Sequence, residues 1–241
     1  MKNSTISNNY INIISELNKC KNKNNNIKFF KTNKGQYAEN DKFLKVRMED
    51  IRTIAKKYIN ISLNNIDLLL KNEYHEVRLT GIIILTYKFK KYKKENKKKE
   101  LKNIFDYYLQ NTIYISNWDL VDYSCYKIVG EYLINKNRNI LYRLAKSNNM
   151  WERRIAIVST FAFIKNNEYK DTLEICKILL NDNEDLIQKS AGWMLREIGK
   201  RIDKNILIKF LNENYKNMPR VMLRYAIERL SLEEKNDYIN T

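Results

Sequence analysis

Asp185-Leu-Ile-Gln-Lys-Ser-Ala191 is one of five related heptapeptides in this chain of 241 residues. The other four are His75-Glu-Val-Arg-Leu-Thr-Gly81, Trp118-Asp-Leu-Val-Asp-Tyr-Ser124, Met150-Trp-Glu-Arg-Arg-Ile-Ala156 and Arg220-Val-Met-Leu-Arg-Tyr-Ala226. Each ends in a small residue, and successive small residues are 43, 32, 35 and 35 positions apart. This spacing is typical of repeated helix pairs such as HEAT repeats, in which a small residue lets neighbouring helices approach closely.

Apolar residues recur at helical spacing throughout the chain. Positions i, i+3 and i+4 are apolar in segments 51–59, 77–89, 101–109, 120–133, 155–164, 173–180 and 186–198. The chain has only 5 Gly and 1 Pro, too few for the frequent turns of a β-sandwich or barrel. We therefore predict an all-α fold, a HEAT-like helical-repeat solenoid with a concave basic groove.

The predicted organisation is a single repeat domain over 1–241, with N-terminal helices in 1–71 and repeats from about 72 to 241. Segment 1–20 has the pattern of an amphipathic helix, and the longest purely apolar run, 82–85, is far too short to span a membrane. We therefore expect a cytoplasmic protein with no membrane association.

The chemistry of metals, disulfides and nucleotides has little support in this sequence. The chain has one His and three widely spaced Cys (Cys20, Cys125, Cys176), so that neither a zinc-ligand pattern nor a disulfide framework can be written. The common glycine-rich phosphate-binding loops do not occur. We expect no metal and no cofactor.

The charge balance favours a polyanionic partner but does not prove one. Lys and Arg number 45 against 28 Asp and Glu, a net charge of +17. Nucleic-acid binders have such an excess, because each cation that neutralises a phosphate releases counterions. However, +7 of the total lies in segment 88–102, and an AT-rich genome also enriches Lys. On charge alone, nucleic-acid binding and compositional bias remain open alternatives.

A charged stripe follows the repeat register. The position two residues before each small residue holds Leu79, Asp122, Arg154, Lys189 and Arg224. Residues four apart share a helix face, which adds Trp118, Trp193 and Arg220 to the stripe. This stripe indicates a groove for a polyanion with one carboxylate in it. In the alternative interpretation, the Trp residues are core and Asp122 forms a structural ion pair.

Three further charged residues near the stripe receive separate predictions. We expect His75 at a helix N-cap or in solvent, and Asp119 exposed as the partner of a Lys or Arg. Arg153 is the weakest candidate for a phosphate contact, because it is one residue from Arg154 and can point into a neighbouring helix.

Five longer segments carry a family resemblance. They are Gly35-Gln-Tyr-Ala-Glu-Asn-Asp-Lys-Phe-Leu44, Asn117-Trp-Asp-Leu-Val-Asp122, Trp151-Glu-Arg-Arg-Ile-Ala-Ile157, Gly192-Trp-Met-Leu-Arg-Glu-Ile-Gly199 and Met218-Pro-Arg-Val-Met-Leu-Arg-Tyr-Ala226. In this order they closely resemble the bacterial DNA alkylation repair family of AlkD-like DNA glycosylases, over roughly residues 8 to 235. The departures are Arg47-Met48 in place of a Val-Pro turn, and Cys125-Tyr126 in place of smaller residues.

The resemblance implies an activity and a set of site residues. The family excises positively charged N3- and N7-alkylated purines from duplex DNA without a base-flipping pocket. Its catalytic Asp falls on Asp122, its groove Arg on Arg154, and its two sugar-facing Trp on Trp118 and Trp193. A family Tyr falls near Tyr37, while Arg153, Lys189, Arg220 and Arg224 are the further candidates for phosphate contacts.

We therefore predict an alkylpurine DNA glycosylase that acts as a monomer on double-stranded DNA. The alternative from another class is a non-catalytic helical-repeat module that binds branched DNA or a protein. A third possibility is the same chemistry directed at RNA. Only the enzymatic alternatives require an ionised Asp122 beside two Trp.

Overall fold

The computed structural model describes residues 2–22, 27 and 29–239, so that the first and the last two positions of the predicted domain 1–241 lie outside it. Within these residues the regular structure is helical, and β-pairing is limited to two isolated bridges, Lys21 with Val46 and Lys42 with Tyr74. The all-α prediction is confirmed. None of the described helices is long and apolar enough to cross a membrane.

The chain divides into two compact units, of which the first ends at Ser124. Its helices are α1 (Lys2–Lys19), α2 (Met48–Lys57), α3 (Leu63–Leu70), α4 (His75–Lys94), α5 (Lys98–Gln110) and α6 (Trp118–Cys125), with a 3₁₀ turn at Thr112–Tyr114. Helix α4 packs against α2, α3 and α5. Its fully buried run Ile82–Leu85 lies in the centre of this unit's core.

The second unit begins at Cys125, at the end of α6. A π-helical turn at Tyr126–Gly130 leads into α7 (Glu131–Leu133). There follow α8 (Asn139–Leu144), α9 (Met150–Ser159), α10 (Phe161–Ile164), α11 (Lys170–Ile178), α12 (Asp185–Arg201), α13 (Lys204–Asn214), a 3₁₀ turn (Tyr215–Asn217), α14 (Arg220–Ala226) and α15 (Leu232–Ile239). Helix α12 packs against α9, α11, α13 and α14.

The small residues of the repeat lie buried within helices, as the register predicts. In the second unit α12 and α14 approach closely one position after the small residue Ala191. A Cβ added at Gly192 would collide with the carbonyl oxygen of Met222, which means that the backbones of α12 and α14 touch at a point where only glycine fits. Ser124 has a polar role as well, because its hydroxyl bonds to the hydroxyl of the fully buried Tyr108.

The predicted stripe is only partly a surface feature. Asp122 and Lys189 are half-buried and Arg224 is exposed. Leu79 is 3% exposed and Arg154 is 5% exposed, so that these two positions belong to the interior. The reason is that helices packed on several sides bury residues that helical spacing alone assigns to an outer face.

A buried polar network fixes the start of α6. His75 donates through Nε2 to Asp119 at 2.8 Å, and its Nδ1 lies 3.6 Å from Asp41. Asp41 also pairs with Arg78 at 2.5 Å and accepts from Asn117 Nδ2 at 2.8 Å. Since α4 supplies His75 and Arg78, the network joins the first turn of α4 to the first turn of α6.

Both predictions for the charged residues of this network are wrong. His75 is the first residue of α4 and is 2% exposed, neither an N-cap nor in solvent. The Asp119 side chain is only 15% exposed, and its partner is His75 instead of a Lys or Arg. A loop is held against the start of α4, where the carboxylate of Glu76 accepts the backbone N–H groups of Leu44 and Lys45, and its Phe43 ring packs against His75.

The network keeps His75 protonated. Burial alone would lower the pKa of His75, but its hydrogen-bonding interactions with Asp119 and Asp41 outweigh burial and raise the pKa to about 9. Burial would raise the pKa of Asp41, but His75 and Arg78 lower it below its usual range. The network therefore contains two carboxylates against an imidazolium and a guanidinium.

We expect the free energy of unfolding to fall as the pH rises through the pKa of His75. The folded-state pKa of about 9 exceeds the value of 6.5 for an unperturbed His. The stabilisation from the protonated ring is therefore complete below pH 6.5 and is lost as the pH passes 9, an effect on the order of 3 kcal/mol. Urea unfolding of wild type and His75→Gln between about pH 6 and about pH 9.5 measures the difference.

Because the chain contains 1 His, its imidazole resonance in NMR spectra reports the pKa without ambiguity. Asp119→Asn keeps the size of the partner and removes its charge, so that the pKa of His75 should be lower in this variant. Parallel stability profiles for wild type and His75→Gln, or a wild-type pKa near 6.5, would contradict the network as described.

Candidate nucleic-acid and catalytic site

Trp118 and Asp122 lie on α6, one helical turn apart, and both are half-buried. The fully buried Asn117 precedes them, and its side-chain oxygen accepts the backbone N–H of Trp118 at 2.8 Å. Asp119 closes the same turn by accepting the N–H of Leu120. Because both capping side chains belong to the buried network, the network sets where α6 begins.

The indole of Trp118 rests on an aromatic stack from the N-terminal loop. Phe30 lies 5.8 Å from Trp118, centroid to centroid, with the planes 28° apart. Phe30 in turn stacks on Phe43 at 4.8 Å and contacts the His75 ring, also at 4.8 Å. The orientation of Trp118 therefore depends on two loop residues as well as on its own helix.

Tyr37 lies in the same loop region and is half-buried. Its hydroxyl donates to the backbone oxygen of Phe29 at 3.2 Å. The preceding turn contains Gly35, whose φ of +77° favours glycine. Tyr37 is thus a well-anchored loop residue of the first unit, and its DNA contact remains a prediction.

Next to Asp122, Tyr123 connects α6 to two other helices. Its hydroxyl is hydrogen-bonded to Tyr87 of α4 and to Arg52 of α2. Burial is the main cause that raises the pKa of Tyr123, so the phenol stays protonated and keeps its hydrogen bond. Asp122 is therefore presented by a helix that is held along its side as well as at its start.

Arg154 and Arg153 of α9 point to different partners in the second unit. Arg154 is buried, and its guanidinium donates to the carbonyl oxygen of Leu186 in α12. Arg153 forms an ion pair with Asp182 at 2.6 Å and donates to the carbonyl oxygens of Ser147 and Asn148. Arg153 thus acts as a clamp between loops, in line with its weak place in the predicted stripe.

Trp193 and Lys189 lie one turn apart on α12. Lys189 pairs with Asp185 at 2.6 Å within the same helix. The indole Nε1 of Trp193 donates to Glu197 at 3.3 Å, and Glu197 also accepts from Arg201 at 2.5 Å. The Phe161 ring lies 6.0 Å from that of Trp193, with the Arg201 guanidinium 5.1 Å above Phe161. Trp193 therefore belongs to a row of aromatic and charged side chains.

Arg220 and Arg224 lie on α14 and are exposed. Arg220 donates to the carbonyl oxygen of Ile239 at 3.5 Å. Of the five predicted phosphate contacts, these two have the most accessible side chains. The structure thus brings Trp118 together with Asp122 on α6, Lys189 with Trp193 on α12, and Arg220 with Arg224 on α14.

The prediction missed several residues that shape these sites. Phe30 lies in a loop without periodicity, so that no local pattern announces its stack on Trp118. Glu197 had a detectable signal, because it lies four residues after Trp193 and four before Arg201. Among the described residues, no group of three or more His, Cys, Asp and Glu is placed to hold a metal ion.

Solved structures of similar fold come from bacterial repair proteins. A predicted DNA alkylation repair enzyme from Enterococcus faecalis aligns with a TM-score of 0.61 and 15% identity, covering 81% of this chain and 92% of that one. AlkD2 from Streptococcus mutans aligns with a TM-score of 0.53 and 17% identity, covering 77% and 91%. At these identities the likeness concerns the fold alone, and no curated protein sequence matches the chain.

The sequence profile described as "DNA alkylation repair enzyme" matches residues 13–230, nearly the whole chain. The match extends over both units and includes the whole of α6, α9, α12 and α14. This chain belongs to the DNA alkylation repair enzyme family.

Proposed function

We propose that this protein is a DNA glycosylase that hydrolyses the N-glycosidic bond of cationic N3- and N7-alkylated purines in duplex DNA. The observation that carries this proposal is the pairing of a carboxylate and an indole, Asp122 and Trp118, one turn apart on a helix whose first turn is fixed by buried charges. Family membership supports the repair role.

The substrate chemistry explains why one carboxylate suffices. A purine alkylated at N3 or N7 already carries a positive charge, so that it leaves as a neutral base when the C1′–N9 bond breaks and takes the bonding electrons. Positive charge then develops on the deoxyribose. Asp122 stabilises this charge and orients the water that attacks C1′. No general acid is needed for the leaving group.

The two indoles also stabilise the positive charge that develops on the deoxyribose. An aromatic face carries negative electrostatic potential, and a cation close to it gains about 0.5 to 2 kcal/mol. Trp118 is held for this role by Phe30, and Trp193 by its hydrogen bond to Glu197. Both indoles are partly exposed on helix faces, so that each can contact a sugar from the backbone side, and the proposed mechanism needs no base flipping.

The cationic residues are assigned to the phosphates. Arg154, the groove Arg of the family resemblance, is assigned to a flanking phosphate, and because it is buried on the Leu186 carbonyl in the protein alone, its guanidinium must leave that oxygen to reach one. Lys189, Arg220 and Arg224 contact the backbone further away, with Tyr37 as an additional contact, whereas the ion pair with Asp182 gives Arg153 a structural role instead. In this proposal the protein is a cytoplasmic monomer that acts on chromosomal DNA and needs no cofactor.

We expect Asp122→Asn to lower the rate of base release by about 100-fold or more, because an amide cannot stabilise a developing cation as a carboxylate does. Release of 7-methylguanine and 3-methyladenine from methylated duplex DNA, separated by chromatography, measures it. The matched control is Asp106→Asn, an exposed carboxylate on α5 that pairs with Lys102.

Each alternative has its own outcome in this assay. If wild type releases no base while it still binds duplex DNA, the protein is a non-catalytic binding module. If release from methylated RNA exceeds that from DNA, the substrate class is wrong. An Asp122→Asn variant as active as Asp106→Asn would remove Asp122 from the mechanism.

We expect Arg224→Gln and Arg153→Gln to change different properties of the protein. Arg224 is exposed, so its loss should weaken duplex binding and reduce the salt slope of log K by about 1. Arg153 is paired with Asp182, so its loss should mainly lower the melting temperature. Binding titrations at several salt concentrations and thermal melts of both variants separate the effects. An unchanged salt slope for Arg224→Gln would exclude its phosphate contact.

A further inference from the structure

A cleft of about 610 Å³ lies in the first unit, between the C-terminal parts of α2 and α4. Its lining consists of Lys56, Ile59, Tyr87, Lys90, Lys91, Lys94 and Glu95. This volume is within the range of small-molecule sites, roughly 300 to 1,000 Å³. None of the lining residues belongs to the catalytic or phosphate-contacting set proposed above.

The charge of the cleft is strongly positive. Four ammonium groups line it against one carboxylate, that of Glu95, which is already paired with Lys97 at 2.7 Å. Lys91 donates to the neutral side chain of Asn60 at 3.1 Å. Lys90 and Lys94 lie four residues apart on α4, where like charges repel. An anion that bound here would relieve this repulsion.

A fifth ammonium group lies behind the cleft wall. Lys88 is 8% exposed, and its Nζ donates to the carbonyl oxygen of Ile59 at 3.1 Å. Burial, together with the charge of Lys91, lowers the pKa of Lys88. Positive charge therefore lies both in the cleft and behind its wall, at the C-terminal end of α4. This arrangement is well suited to a ligand with more than one negative charge.

The rest of the wall is apolar and contains an aromatic ring held in place. Ile59 and Tyr87 supply it. The hydroxyl of Tyr87 is hydrogen-bonded to Tyr123 of α6, which fixes one end of its side chain. A nucleic-acid base stacks on such a ring with a gain of about 1 to 3 kcal/mol, whichever base it is.

We propose that this lysine cleft is a nucleotide-binding site, in which the lysines bind phosphates and the base lies against Tyr87 and Ile59. The ligand class is a phosphate-bearing nucleotide, either free or as part of a single strand. The combination of several ammonium groups with a fixed aromatic ring distinguishes this ligand from a simple inorganic anion, which needs no apolar wall.

The test measures the binding of two probes to the full chain by fluorescence anisotropy. One probe is an ATP labelled with a small fluorophore, and the other is a labelled oligothymidylate of about eight nucleotides. We expect wild type to bind at least one of them, more weakly as salt rises. The double variant K90Q/K94Q should bind at least about tenfold more weakly, because it loses two phosphate contacts.

The matched control is K99Q/K209Q, which removes the same charge at two exposed lysines outside the cleft. Its affinity should equal that of wild type. E95Q, which removes the only carboxylate of the lining, should bind more tightly. Binding of the ATP probe alone identifies a free nucleotide as the ligand, whereas binding of the oligothymidylate identifies a single strand.

Two results would overturn the proposal: neither probe binds wild type, or K90Q/K94Q and K99Q/K209Q bind alike. Thermal melts of each variant show whether the lysines act only by stabilising the C-terminal end of α4. A K90Q/K94Q variant with a lower melting temperature and wild-type affinity would establish that simpler role. None of these measurements involves base release, so that they stand apart from the glycosylase proposal.

Discussion

The ion pair between His75 and Asp119 joins the first turn of α4 to the first turn of α6, and much of the first unit is arranged around it. Two charged groups this deeply buried are stable only when each has its partner, since an unpaired buried charge costs several kcal/mol. Asp41 and Arg78 complete the balance of charge. As a result, the network fixes the residue at which α6 begins.

That constraint reaches the proposed chemistry through short contacts. Asn117 belongs to the network and caps the turn at Trp118, while the His75 ring contacts Phe30, on which the Trp118 indole stacks. Asp122 follows one turn later on the same rigid helix. A residue that stabilises a developing charge works best when its position costs no reorganisation during the reaction. The buried charges thus give the carboxylate a fixed position at the expense of a polar core.

The sequence was informative where local periodicity decides the structure. The repeated small residues and apolar spacing predicted α2, α4, α5, α9, α11 and α12 and the helical character of the chain. They did not predict α3, α8, α13 or α15; of these, α3 and α8 have only 8 and 6 residues, too few for a helical period to stand out. Resemblance to the family carried the choice of Asp122, Trp118, Trp193 and Arg154, and their joint action remains a proposal.

Long-range polar contacts were beyond the reach of the sequence. Asp41 and Asn117 are 76 positions apart, and His75 and Asp119 are 44 apart, so that no spacing rule relates them. A lone His on an apolar helix start and an Asp near a helix start each have an ordinary local interpretation. Only the folded chain shows that both interpretations are wrong, because the two side chains are hydrogen-bonded to each other.

If the proposed mechanism is right, the carboxylate of Asp122 faces the sugar on which positive charge develops. A crystal structure of the protein with duplex DNA containing a cationic pyrrolidine in place of the deoxyribose tests it most directly, since this ring mimics the charged sugar. We expect the ring nitrogen within hydrogen-bond distance of Asp122, with the Trp118 indole against the ring. A cationic ring bound away from α6, or facing solvent with Asp122 turned elsewhere, would contradict it.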